Sequence, residues 1–100
     1  LPAHNFAFEG FLPAKKGRKT KLEELASEKR TLIFYESPYR IVKTLEDLLH
    51  TFGEDRPASV SREISKKFEE TRRGTLSELA EYFKKNSPKG EFVMCVAGKA

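Results

Sequence analysis

Glu36 and Arg40 close the run Thr31-Leu-Ile-Phe-Tyr35, and Arg62, Glu63, Ser65, Lys66 and Glu69 close the run that starts after Pro57. Each run is apolar or β-prone and stops abruptly in charged and turn-forming residues. A buried strand that delivers polar groups to its carboxyl end is how open α/β sheets build ligand sites. Arginine suits a two-pronged clamp on a carboxylate or phosphate, and lysine a point-charge contact. Two structural alternatives stay open beside the ligand site. Glu36 pairs with Arg40 or with nearby backbone N–H groups, and Arg62 joins an ion-pair network, for instance with Glu36 across adjacent strand ends. Tyr39 either packs or offers its ring to a base.

A third feature is the segment Phe11 to Lys21, which holds Lys15, Lys16, Arg18, Lys19 and Lys21 around Gly17. Clustered cations on a glycine-containing loop make an electrostatic footprint for a nucleic acid, or an ordinary solvated surface. Lys89-Gly90-Glu91 is a turn where glycine allows close backbone approach to a ligand. The chain has no G-x-S-x-G elbow, phosphate-cradling glycine loop, C-x-x-C pair or metal-spaced histidines. His50 near a helix end reads as a favourable charge at a helix C-terminus.

The elements that must position these groups follow from local signals. Asn5 to Glu9 reads as a strand. Thr20 with Glu23 makes a capping-box pattern for a helix carrying Leu22, Leu25 and Ala26. Thr31 to Tyr35 suits a central strand covered on both faces. Ser37 caps the next helix with Pro38 in its first turn, and Ile41, Leu45, Leu48, Leu49 and Phe52 form its buried stripe up to Gly53. A strand follows at Ala58 to Glu63. Lys66 to Arg73 reads either as a charged edge strand closed by Gly74 or as a helix paired through Lys66 and Glu70. The strand is favoured because Phe68 alone could anchor a helix. Thr75 and Glu78 open a last helix with Leu76, Leu79, Ala80 and Phe83 buried. The turn from Ser87 to Gly90 leads to a final strand, Phe92 to Ala97. The order β-α-β-α-β-β-α-β predicts an α/β fold, a mixed β-sheet with helices packed on it. Helical crossovers predict neighbouring parallel strands.

The 100 residues make one domain, with 38% hydrophobic and 34% charged residues. A net charge of +4 favours an anionic partner. Cys95, the only cysteine, lies in an apolar run and is expected to be a buried thiol in a reducing compartment. The longest apolar stretch is too short to span a membrane. The chain begins Leu1-Pro-Ala, which suggests a piece of a longer protein.

Gly10-Phe-Leu-Pro-Ala-Lys15 with Arg18, Arg30-Thr-Leu-Ile-Phe-Tyr-Glu-Ser-Pro-Tyr-Arg40, Arg62-Glu-Ile-Ser-Lys66, Phe68-Glu-Glu70 with Arg73-Gly74, and Gly90-Glu91 occur in this order. Together they resemble the C-terminal half of the bacterial small-subunit ribosomal RNA cytidine 2′-O-ribose methyltransferases, within the tetrapyrrole methylase superfamily. The pattern departs at Tyr39, where that family commonly has histidine.

The resemblance implies a two-domain cytoplasmic enzyme, a homodimer, binding S-adenosylmethionine between its domains. The upstream domain with the glycine-rich cofactor motifs is absent from this chain. Cofactor contacts are expected at Tyr35, Glu36, Arg62, Glu63, Ile64, Glu91, Phe92 and Val93, several of them through the backbone. Ribosomal RNA contacts are expected at Lys15, Lys16, Arg18, Lys19, Lys21, Arg40 and Lys66. Glu36 is the candidate for assisting deprotonation of the ribose hydroxyl, beside an adenosine-facing or structural role. The chain alone is expected to be inactive. The rival readings are a methylase of a tetrapyrrole and a non-enzymatic RNA-binding module.

Overall fold

The β-prone runs become strands and the apolar-periodic segments become helices in the computed structural model, which describes residues 5–65, 68–86 and 89–100. The elements are β1 (Phe6–Phe11), α1 (Arg18–Leu25), β2 (Thr31–Glu36), α2 (Ile41–Phe52), β3 (Pro57–Ser65), β4 (Phe68–Thr75), α3 (Leu76–Lys85) and β5 (Phe92–Val96). This is the element order expected from the sequence. Lys66 and the Ser87–Pro88 part of the expected turn lie outside the described residues.

The five strands lie in the order β1-β2-β5-β3-β4. The crossover through α1 makes β1 and β2 parallel neighbours, as expected. The crossover through α2 does not make neighbours of β2 and β3. They run parallel, but β5 lies between them, antiparallel to both. β4 pairs within the chain, antiparallel to β3, and forms one edge of the sheet.

Among the described residues only one face of the sheet is covered, which corrects the expectation for β2. Leu32, Phe34 and Glu36 are buried while Tyr35 is exposed. On β5, Phe92, Met94 and Val96 are buried and Val93 is exposed. The buried set meets the helices: the Phe83 ring of α3 lies 5.5 Å from that of Phe92. Arg72 of β4 stacks its guanidinium 3.6 Å from the Tyr82 ring of the same helix. Leu45 and Leu48 of α2 and Leu76 and Leu79 of α3 complete the core with Leu32, Phe34 and Met94. Each such side chain contributes about 1.5–3 kcal/mol by leaving water.

The uncovered face carries Phe8, Phe11, Tyr35 and Val93, with Cys95 half-buried there rather than in the core. A bulge puts Phe8 and Phe11 on the same side. Phe8 pairs with Ile33 and Gly10 with Phe34, so Glu9 is the extra residue. Gly10 takes φ 66°, a value that disfavours a side chain. Tyr35 then meets the Phe8 and Phe11 rings at 5.2 and 5.6 Å.

Two helix starts differ from expectation. α1 begins at Arg18, with Gly17 at φ 81° before it and no side-chain cap, so Thr20 lies inside the first turn. The captured side chain of Arg18, described below, holds that earlier turn in place. α2 begins at Ile41 after a turn in which the Arg40 N–H donates to the Ser37 carbonyl at 3.1 Å. Ser37 therefore closes a turn and does not cap the helix. In α3 the capping box forms as expected. The Glu78 N–H donates to Thr75 Oγ1 at 3.1 Å, and the Thr75 N–H to Glu78 Oε1 at 2.9 Å.

Candidate functional site

Because β2 and β3 run parallel on either side of β5, their carboxyl ends share one edge of the sheet. Glu36 and Arg62 are both register partners of Phe92, and Arg62 is in turn the partner of Glu70. Partners directly opposite one another point to one face, so Glu36, Phe92 and Arg62 sit abreast on the helix side. With neighbouring strands about 4.8 Å apart, the Glu36 and Arg62 backbones are about 10 Å apart. Tyr35 opposes Val93 on the uncovered face. Glu63 and Ile64 continue β3, and exposed Glu91 immediately precedes β5. The eight residues marked for cofactor contact thus lie along a single rim.

The β2 end of that rim is a closed network. Glu36 is 4% exposed. Its Oε1 accepts from the Ser37 N–H at 2.8 Å and its Oε2 from the Thr44 hydroxyl at 2.6 Å. Thr44 Oγ1 accepts in turn from Arg18 Nη2 at 2.9 Å. Arg18 Nε donates to Asp47 Oδ2 at 2.9 Å and Nη1 to the Pro13 carbonyl at 3.0 Å. A buried charge needs such partners to offset its lost hydration. Of the two alternatives for Glu36, the backbone N–H pairing holds and the Arg40 pairing does not. Arg40 Nη2 donates instead to the Ala14 carbonyl at 3.0 Å.

The β3 end is looser. Arg62 Nη2 reaches Glu70 Oε2 and Nη1 the Lys89 carbonyl, both at 3.3 Å. The expected Arg62–Glu36 pair is replaced by this pairing, because Phe92 stands between them. The buried Nε of Arg62 has no hydrogen-bond partner among the described residues. This end fits a ligand that offers an acceptor, whereas the Glu36 carboxylate has both oxygens engaged and fits one only through the backbone beside it. Tyr39 is 96% exposed, so it does not pack. No cluster of metal-ligating side chains occurs among the described residues.

The basic residues separate into two kinds. Lys15, Lys16 and Lys19 are exposed and have no ion-pair partner among the described residues. Lys21 pairs with Glu9 at 3.0 Å. Arg18 is buried, and Arg18, Lys19 and Lys21 stand on α1 rather than on a loop. Thr44 and Asp47 are the site residues that sequence reasoning missed. The available signal was a polar threonine inside the apolar stripe of α2, a position that demands a hydrogen-bond partner.

The chain resembles proteins of known name. It is 46% identical over 99 residues to ribosomal RNA small subunit methyltransferase I of Synechocystis sp., covering 98% of the chain and 36% of the relative. The protein of the same name from Xylella fastidiosa (strain 9a5c) is 50% identical over 103 residues, covering 100% of the chain and 38% of the relative. The chain therefore spans little more than a third of these curated relatives. Among solved structures, cobalt precorrin-4 methyltransferase superposes with a TM-score of 0.67 at 18% identity, over 92% of the chain and 39% of that structure. Uroporphyrin-III C-methyltransferase of Thermus thermophilus, solved with S-adenosylhomocysteine, gives 0.65 at 23% identity, over 95% of the chain and 42% of that structure. At such identities the likeness is one of fold. The profile of the tetrapyrrole (corrin/porphyrin) methylases matches residues 3–80, and the chain belongs to that family.

Proposed function

We propose that this chain is the C-terminal part of a two-domain, S-adenosylmethionine-dependent methyltransferase that methylates a cytidine ribose 2′-hydroxyl in small-subunit ribosomal RNA. The observation that carries this reading is the shared rim, where Glu36, Phe92 and Arg62 stand abreast at one sheet edge. The names of the relatives support the substrate class.

On this reading the bound cofactor supplies an electrophilic methyl group. Backbone at Tyr35, Glu36, Glu91, Phe92 and Val93, together with the segment Arg62 to Ile64, forms one wall of its cleft. The upstream domain forms the other, so the chain alone is inert. The ribose oxygen must be held about 3–3.5 Å from the methyl carbon, in line with the bond that breaks. Its proton needs an acceptor. We assign Glu36 to holding the end of β2 rather than to that proton, because both of its oxygens already accept hydrogen bonds. Lys15, Lys16, Lys19 and Lys21, with Lys66, supply charge for the RNA. Arg40 tethers the segment before α1 through Ala14. A homodimer and a cytoplasmic, ribosome-associated setting complete the proposal. No helix among the described residues is long and apolar enough to cross a membrane.

Labelled S-adenosylmethionine, the full-length protein, and small-subunit ribosomal RNA or a porphyrinogen as acceptor make the test. Label on an RNA ribose is expected. Label on the tetrapyrrole alone would favour the second reading, which the family description and the solved neighbours suggest. RNA binding with no transfer to either acceptor would favour a non-enzymatic module.

A further inference from the structure

We infer that the groove between α1 and α2 is a seat for RNA backbone phosphates, built from α2 as well as from the basic segment before it. This deepens the RNA reading above and rests on it. The groove is a cavity of about 560 Å³ open to solvent, with Lys15, Arg18, Lys19, Lys43, Asp47 and His50 among its lining residues. Four cationic side chains therefore surround a single carboxylate. That carboxylate is already engaged, by Arg18 at 2.9 Å and by Lys43 at 3.7 Å. Lys43 keeps most of its surface open, and Lys15 and Lys19 are exposed opposite it. His50, exposed in the last turn of α2, closes the far end of the lining.

Three properties favour a phosphate chain as the occupant. The first is the excess of cations over carboxylates, which a polyanion compensates while releasing its counterions. The second is length. From Lys43 to His50 the wall follows α2 for about 10 Å at 1.5 Å per residue, long enough to meet more than one phosphate of a strand. The third is rigidity. The floor is the Arg18 network, which fixes Pro13 and Thr44 and ends on Glu36. A chain lying in the groove is thereby held in a constant relation to the β2 end of the rim. The long, flexible lysines do the binding, and the arginine beneath them is already committed.

The test measures binding of the full-length protein to a labelled small-subunit ribosomal RNA transcript by fluorescence anisotropy, from about 50 to about 200 mM salt. The double variant Lys19→Gln and Lys43→Gln is compared with wild type and with Lys99→Gln. Lys99 lies at the opposite edge of the sheet, where its N–H donates to the Glu28 carbonyl. The groove predicts a loss of about tenfold or more for the double variant and a salt slope shallower by about two, one for each phosphate contact removed. Lys99→Gln should stay within about twofold of wild type on the same measure. Wild-type affinity and slope in the double variant would overturn the groove, and if the wild type still methylates RNA the wider reading survives. An equal loss in Lys99→Gln would also overturn it, leaving net charge as the cause. Failure of the wild type to bind the RNA at all would sink both.

Discussion

The two strand ends that look alike in the sequence are built in opposite ways. At the end of β2, Glu36 is buried, and its network runs through Thr44 to Arg18 and Asp47. At the end of β3, Arg62 is partly exposed, holds Glu70 and the Lys89 carbonyl at 3.3 Å, and keeps a buried Nε with no partner among the described residues. A satisfied network specifies position; an under-satisfied one keeps capacity for a ligand. One rim thus combines a closed end with an end whose arginine keeps a donor unpartnered among the described residues.

The contrast breaks first at Arg18. Replacing it with Met leaves Asp47 only the longer Lys43 contact at 3.7 Å and leaves the Glu36–Thr44 pair without its cation. Loss of about 3 kcal/mol in urea unfolding of the chain is expected, at the low end for a broken buried pair because Asp47 is partly exposed. Thr44→Val keeps the shape but removes both hydrogen bonds of the hydroxyl, which should cost about 2 kcal/mol in the same assay. Arg62→Met should change stability by less than about 1 kcal/mol, since its ion pair is partly exposed and long at 3.3 Å. Its effect should appear instead as weaker S-adenosylhomocysteine binding to the full-length protein by calorimetry. If Arg62→Met destabilises the fold as much as Arg18→Met, the two ends are not different in kind.

The smallest effect is expected at Glu78, an exposed carboxylate that gives a baseline for the buried one. The Thr75 N–H, and then the Thr75 hydroxyl, hold its carboxyl below the ordinary value of 4.5. A lowered folded value gives stability that is complete above the unfolded value and is lost as pH falls through the folded one. Urea midpoints taken from about pH 6 to about pH 3 should therefore fall less steeply in Glu78→Gln than in wild type. An unchanged acid slope would mean that the capping box adds no pH-dependent stability.

Much of this fold could be read from residue types. Gly53, Pro57 and the Thr75–Glu78 pair punctuate the chain where the structure does, and the element order follows from them. Strand order did not follow, because nothing local in Phe92 to Val96 announces that it inserts between β2 and β3. The uncovered face stayed hidden for a related reason. Phe8, Phe11 and Tyr35 are as apolar as the core residues beside them, so β2 shows no alternation to read. At the site, the rim was legible as abrupt strand ends. The Arg18–Thr44–Glu36 connection was not, since Thr44 in the apolar stripe of α2 signals that a partner is needed but not which one, and the network joins three elements.

The most direct test of the shared rim is hydrogen exchange of the full-length protein with and without S-adenosylhomocysteine. Slowed exchange is predicted at residues 35–37, 62–64 and 91–93, with no change at 29–31 and 97–99 on the opposite edge. Protection of that opposite edge, or binding that leaves all three rim segments unprotected, would contradict the account.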